Sequence, residues 1–162
     1  MNTSKVMKKM IDYSEGNHHD INHFMKVHGF AQTIAREENC TPQEQEIIEA
    51  AAIIHDIACP LCRVKYGNTN GKHQEEEGVI LAKEFLADLD LSDEAKDRIV
   101  YLVGHHHTLT DIDGIDYQIL IEADYLVNAD ESHYSRENIQ NMHDQIFKTK
   151  TGKELLESIY LR

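Results

Sequence analysis

Apolar residues that recur at steps of three and four, with no useful stretch at steps of two, restrict this chain to helices. Across residues 21–38 the positions Phe24, Val27, Phe30, Ala31, Ile34 and Ala35 trace one stripe of an amphipathic helix. "TPQE" follows, with Thr41 as N-cap, Pro42 at the first helical position and Glu44 as the reciprocal partner. That capping box predicts a helix running to about His55 or Ile57 and stopping near Pro60. Further helices are predicted over 75–88, 92–105, 117–129 and 135–148, and a second box, "TGKE" from Thr151 to Glu154, opens the last. Residues 58–74 carry Pro60, Gly67, Gly71 and two asparagines and read as one long loop inside the domain. The expectation is a single all-α domain over 1–162, a compact bundle of six or seven helices with C-terminal helices across 135–160.

Composition narrows the class. "MNTSKVMKKM" has lysines but no apolar run behind it, and no stretch approaches 18 apolar residues, so neither a signal peptide nor a membrane span is expected. Three cysteines, an odd number, argue for a reducing compartment, and the expected location is the cytoplasm. A formal charge of −13 makes a nucleic-acid polymer a poor partner. The same carboxylates, combined with eleven histidines, suit divalent metals, although an acidic surface carrying exposed histidines would read alike.

The informative residues are polar ones on apolar faces. In "YQILIEADYLVNA", Asp124 shares a face with Leu120, Ala123 and Val127, while Glu122 points elsewhere. A buried carboxylate needs a cationic partner, which a salt bridge or a metal would equally supply. His55 lies on the face of Ile48, Ala51 and Ala52, with Asp56 about 100° round the helix from it. His23 heads the stripe of Val27, Ala31 and Ile34, and His28 lies nearer its edge. A lone inward histidine is commonly a hydrogen-bonded core group. Several converging with aspartates from facing helices point to a metal site in the bundle's centre.

The segments "HFMKVHGFA", "IIHDIA", "GHHHT" and "IEADYL" resemble, in order and spacing, the HD-domain superfamily of metal-dependent phosphohydrolases, over about residues 19–129. The resemblance implies a metal held by His23, His55, Asp56 and Asp124, with Asp56 bridging if a second metal is present. The family's phase fits His23, which has Val27 and Ala31 four and eight residues on, and leaves His28 as the alternative first ligand. For a second metal or a phosphate contact it implies His106, with His105 and His107 as neighbours. The family's remaining histidine falls at Gln74, with His73 one residue off, so one metal alone, or Glu75 or Glu76 as ligand, stays open.

The implied reaction is hydrolysis of a nucleotide or another small phosphorylated molecule by a metal-activated water, with Asp56 and His106 as catalytic residues. The implied cofactor is Fe, Mn, Ni or Zn, with Mg also possible. Arg63, Lys65 and Lys72 are candidates for phosphate contacts, or ordinary solvated cations. A metal- or nucleotide-binding regulatory module of the same fold is the alternative function, and a homo-oligomer is allowed. Cys59 and Cys62 form a Cys-x-x-Cys whose thiols are structural, half of a zinc site with Cys40 or His73, or a redox pair.

Overall fold

The computed structural model describes residues 3–162, and over these the chain is helical throughout. Nine helices follow in order among the described residues: α1 (Thr3–Tyr13), α2 (His18–Glu37), α3 (Pro42–Ile54), α4 (Cys59–Tyr66), α5 (Gly71–Leu86), α6 (Asp93–Val103), α7 (Ile115–Glu131), α8 (Arg136–Gln145) and α9 (Lys150–Tyr160). Among the described residues no helix is long and apolar enough to cross a membrane.

The centre is α2, α3 and α7, which pack on one another, with α6 beyond α3 and α5 against α6. Composition explains the arrangement. From Ala50 to Ile54 every residue of α3 is buried, and α7 is buried from Tyr117 to Val127, so both helices are apolar nearly all round and must be surrounded. α2 keeps one apolar stripe, Phe24, Val27, Ala31, Ile34 and Ala35, and lays it on that pair. The Thr41–Glu44 capping box forms, with the Thr41 hydroxyl accepting from the Glu44 amide and the Glu44 carboxylate from the Thr41 amide.

Three features differ from the sequence reading. First, α1 was not foreseen; only Val6 and Met10, one turn apart, are buried on it, too little pattern to stand out. Second, the expected loop at 58–74 contains α4 and the start of α5. Pro60 does not stop a helix there but occupies the first turn of a new one, where its missing N–H costs nothing. Third, α9 is capped by Thr149, whose hydroxyl accepts from the Gly152 amide, two residues before the expected Thr151. Thr151 instead donates its amide and hydroxyl to Glu38, the C-cap residue of α2. A tertiary partner decides between two threonines that look alike locally.

Candidate metal centre

Helix ends deliver the histidines. α3 stops at Ile54, and a tight turn, with the Ile57 amide on the Ile54 carbonyl, swings His55 and Asp56 toward the same point. His55 Nδ1 donates to the Ala52 carbonyl at 2.7 Å, satisfying one of the open carbonyls at the helix end. α6 repeats the device: it stops at Val103, and His106 Nδ1 donates to the Val103 carbonyl at 2.7 Å. In both rings Nδ1 carries the hydrogen, so Nε2 presents a lone pair. His23, on α2, gives its Nδ1 hydrogen to Glu131 Oε1 at 2.6 Å, and its Nε2 is left in the same way.

These lone pairs converge. His23 Nε2 lies 3.2 Å from His55 Nε2, 3.1 Å from Asp124 Oδ1 and 3.2 Å from Asp56 Oδ2. His55 Nε2 stands 3.2 Å from Asp124 Oδ1 and 3.5 Å from Asp56 Oδ2. Donor atoms around one tetrahedral transition metal stand roughly 3.3–3.6 Å apart; His23, His55 and Asp56 form one group whose ligand atoms lie within 4.8 Å of one another, and Asp124 Oδ1 faces its two imidazoles. Acceptors facing acceptors in a buried site require a cation among them. Protons can play that part. Burial opposes charge on His23, but the Asp124 and Asp56 carboxylates outweigh it and push the ring up to about 11. His55 is raised likewise, against burial, by Asp56 and Asp124. Both aspartates are held well below the usual carboxylate range: burial works against this, and the imidazoles, His55 foremost, overcome it.

Asp56 is shared. Its Oδ2 faces His23 and His55, and its Oδ1 lies 3.4 Å from His106 Nε2. Asp56, His106 and His107 make a second group whose ligand atoms all lie within 4.8 Å of one another. His107 comes this close because α5 begins with Gly71, where a Cβ would stand 2.8 Å from the His107 ring. Partial withdrawal from water, then neighbouring His106, lower the otherwise exposed His107 to about 4, so its ring is neutral and able to ligate. The residue that α5 sends into this group is Gln74, whose Oε1 lies 3.2 Å from His106 Nε2 and 2.9 Å from His107 Nε2.

Other candidates fall outside the cluster. His73 is one position round α5 from Gln74, so its ring turns to α4 and stacks on Tyr66 at 3.8 Å. His105 stacks on Tyr101 at 3.9 Å with Nδ1 on the Tyr101 carbonyl. His28 reaches the buried Glu49, 2.9 Å from its Oε1. Glu75 accepts from the His107 amide and the Thr108 hydroxyl and so anchors the "GHHHT" turn, while Glu76 is exposed. Arg63 grips both carboxylate oxygens of Asp20, Lys65 is paired with Glu77, and Lys72 is exposed. Among the described residues no cysteine joins a ligand group. Cys59 and Cys62 are free and buried, and burial pushes both thiols up, away from the thiolate that redox or zinc chemistry needs.

The sequence reading missed two carboxylates. Glu131 lies seven residues, two turns, beyond Asp124 on α7, a spacing that could have flagged it as sharing the Asp124 face. Glu122, expected to point away from the core, is fully buried, because α7 is covered on a second face by the segment that leads into α9.

A cavity of about 290 Å³ opens beside the donors, with His106, His107 and Asp124 in its wall. Larger hollows of about 510 and 620 Å³ lie elsewhere, without a histidine in their walls. A carboxylate shared between two imidazole groups, with His106, His107 and Asp124 reaching the cavity wall, is an arrangement that can hold one or two divalent metals.

The family model of the HD domain matches residues 20–147, a span that takes in every one of these donors. The chain belongs to the HD domain family. That places it in a superfamily of metal-dependent phosphohydrolases. Solved structures share the fold. A predicted HD superfamily hydrolase from an uncultured Thermotogales bacterium is 21% identical, with TM-score 0.72 over 99% of this chain and 86% of that one. Bacillus subtilis YpgQ in complex with ADP is 19% identical, with TM-score 0.57 over 97% and 86%. The selenomethionine form of YpgQ gives TM-score 0.59 at 19% identity over 98% and 88%. At these identities the likeness is one of fold. No curated protein matches the chain significantly.

Proposed function

We propose that this HD domain hydrolyses a phosphate ester in a nucleotide or another small phosphorylated molecule, using a divalent transition metal held by His23, His55, Asp56 and Asp124. The observation that supports this most is the convergence of those donors at 3.1–3.5 Å beside a cavity. A bound metal supplies charge stabilisation at a phosphate oxygen and acidifies a water. The chain's own residues do the rest. Asp56, with 29% of its side chain exposed against 9% for Asp124, is the carboxylate open to solvent, and it orients the attacking water. His106, its Nδ1 fixed by Val103, presents Nε2 toward Asp56 and the cavity, where it holds a phosphate oxygen or a second metal. With Gln74 where an imidazole would complete a second site, the second metal position is the weaker of the two. Metal and imidazoles offset, for an anionic substrate, the repulsion of a −13 chain.

The test is phosphate release by protein loaded in turn with Mn, Fe, Ni, Zn and Mg, from nucleoside mono-, di- and triphosphates and an aryl phosphate. Metal-dependent release that Asp56→Ala abolishes is expected. Release that survives in that variant overturns the site assignment, and no release from any substrate by the metal-loaded protein favours a binding module instead.

A further inference from the structure

The cavity beside the donors is polar at one end and neutral everywhere else. Ile121, Asp124, Tyr125 and Asn128 are spaced three, one and three residues apart, so one face of α7 forms the floor. Beyond Asp124 the wall is made of phenols, amides and apolar side chains, including Tyr134, Asn138 and Met142, and among the described residues it holds no lysine or arginine. Of the cations on α4, Arg63 is held by Asp20 and Lys65 by Glu77. Tyr134, 40% exposed, lies stacked on Tyr125 with ring centroids 5.5 Å apart. The Tyr125 hydroxyl donates to Asn138 Oδ1, and among the described residues the Asn138 amide nitrogen and the Asn128 side chain have no protein partner.

We infer that, resting on the phosphohydrolase reading above, the cavity selects a phosphate monoester whose leaving group is a neutral alcohol bearing a flat aromatic ring, with Tyr134 as the stacking platform and Asn128 and Asn138 as the hydrogen-bonding edge. Three observations carry this. A volume of about 290 Å³ is at the small end for a ligand site and suits one ring and a sugar or a similar short link. A second or third phosphoryl group would bring one or two further negative charges against a neutral wall, in a chain of charge −13, with no cation to meet them. An aromatic ring laid on Tyr134 extends an existing stack, whereas an aliphatic leaving group gains nothing from it.

Binding to the full metal-loaded chain, with metal content checked after each titration, tests the idea without requiring turnover. Adenosine monophosphate and phenyl phosphate are expected to bind roughly tenfold tighter than glycerol phosphate or inorganic phosphate, and adenosine di- and triphosphate more weakly than the monophosphate. Tyr134→Ala is expected to erase the aromatic preference and Tyr134→Phe to keep it. Met142→Lys places a cation in the neutral wall and is expected to raise diphosphate affinity relative to monophosphate by about fivefold. Diphosphate binding as tight as monophosphate in the unmodified protein, or a Tyr134→Ala protein with the aromatic preference intact, overturns the inference. If this binding order holds but no ester is cleaved, the hydrolase reading fails alone. If esters are cleaved without the order, this inference fails alone.

Discussion

Glu122 and Asp124 sit two residues apart on α7, and both are withdrawn from water, at 0% and 7% exposure. Glu122 is ringed by donors: the Gln118 amide, the Lys148 and Thr149 backbone N–H groups and the Thr149 hydroxyl, at 2.6–3.1 Å. Asp124 faces the Nε2 atoms of His23 and His55 and, as a like charge, the Asp56 carboxylate. The first carboxylate is satisfied by the fold and fastens α9 to α7. The second is satisfied only by a positive charge among the imidazoles, a proton in the metal-free chain or a bound metal. Burial alone does not mark a functional acid; the sign of its neighbours does.

Substitutions should separate the pair. The largest effect is expected at the metal: Asp124→Asn and Asp56→Ala abolish tight binding, read by mass spectrometry of protein purified without chelator, while the far-ultraviolet circular dichroism keeps its helical amplitude. A folded Asp56→Ala protein with full metal content would refute the centre. At Glu122 the outcome reverses. Glu122→Ala removes the buried acceptor that four donors share and is expected to cost about 2–3 kcal/mol of unfolding free energy, with metal stoichiometry unchanged. Gly152→Ala probes the same latch, since a Cβ there would overlap the Glu122 carboxylate, and is expected to cost about 1–3 kcal/mol. Loss of metal in either variant would mean that the two carboxylates are not independent.

This contrast also shows which parts of the molecule were legible in the sequence. The long helices were, because α2, α3 and α7 each bury enough apolar surface to leave a three-and-four pattern. α4 was not: it is eight residues long, buries Cys59 and Cys62, and is bounded by a proline and a glycine that look like loop markers. At the site, His23, His55, Asp56 and Asp124 stood out as polar residues on apolar faces, and the structure gathers all four. Gln74 stood only at the position where the family has a histidine, and Glu131 only at two turns beyond Asp124; their parts as the neighbour of His106 and the support of His23 appear once the opposite helices are in place. Glu122 was misplaced for the same reason, its donors arriving from 26 and 27 residues away.

pH should divide the two carboxylates next. In the metal-free chain Asp124 depends on protonated imidazoles. His23 has a folded pKa of about 11, above the ordinary value of 6.5, and His55 is raised too. Their stabilisation is complete below pH 6.5 and declines as pH rises toward the folded values. The depressed Asp56 and Asp124 contribute in the other direction, above the ordinary carboxylate value, and lose that contribution only in acid. Between pH 6.5 and 8.5 the melting temperature of metal-free protein is therefore expected to fall, by roughly 5 °C. Metal removes the need for the protons, so the gap between loaded and metal-free protein widens over the same interval. The Glu122 latch, made by amides and a hydroxyl, offers no such dependence, and Glu122→Ala should leave the widening intact. A gap that stays constant with pH would show that protons do not stand in for the metal.

The smallest effect concerns how the site is tuned. His55 and His106 rest their Nδ1 hydrogens on neutral backbone carbonyls, whereas His23 rests its own on the Glu131 carboxylate, which also accepts from Lys26 at 2.9 Å. A carboxylate behind an imidazole fixes the tautomer and strengthens the ring as a ligand, and Lys26 moderates that charge. Glu131→Gln keeps an oxygen for the His23 hydrogen but removes the charge, so metal affinity is expected to drop about tenfold, without loss of helicity. Cobalt-loaded protein gives a second reading, since a weaker His23 donor shifts the visible bands even at full occupancy. Lys26→Met acts in the opposite sense, releasing the carboxylate to act fully on His23 and raising affinity. If both variants bind metal as the unmodified chain does, Glu131 is a structural carboxylate like Glu122, and α7 carries one functional acid rather than an acid and its support.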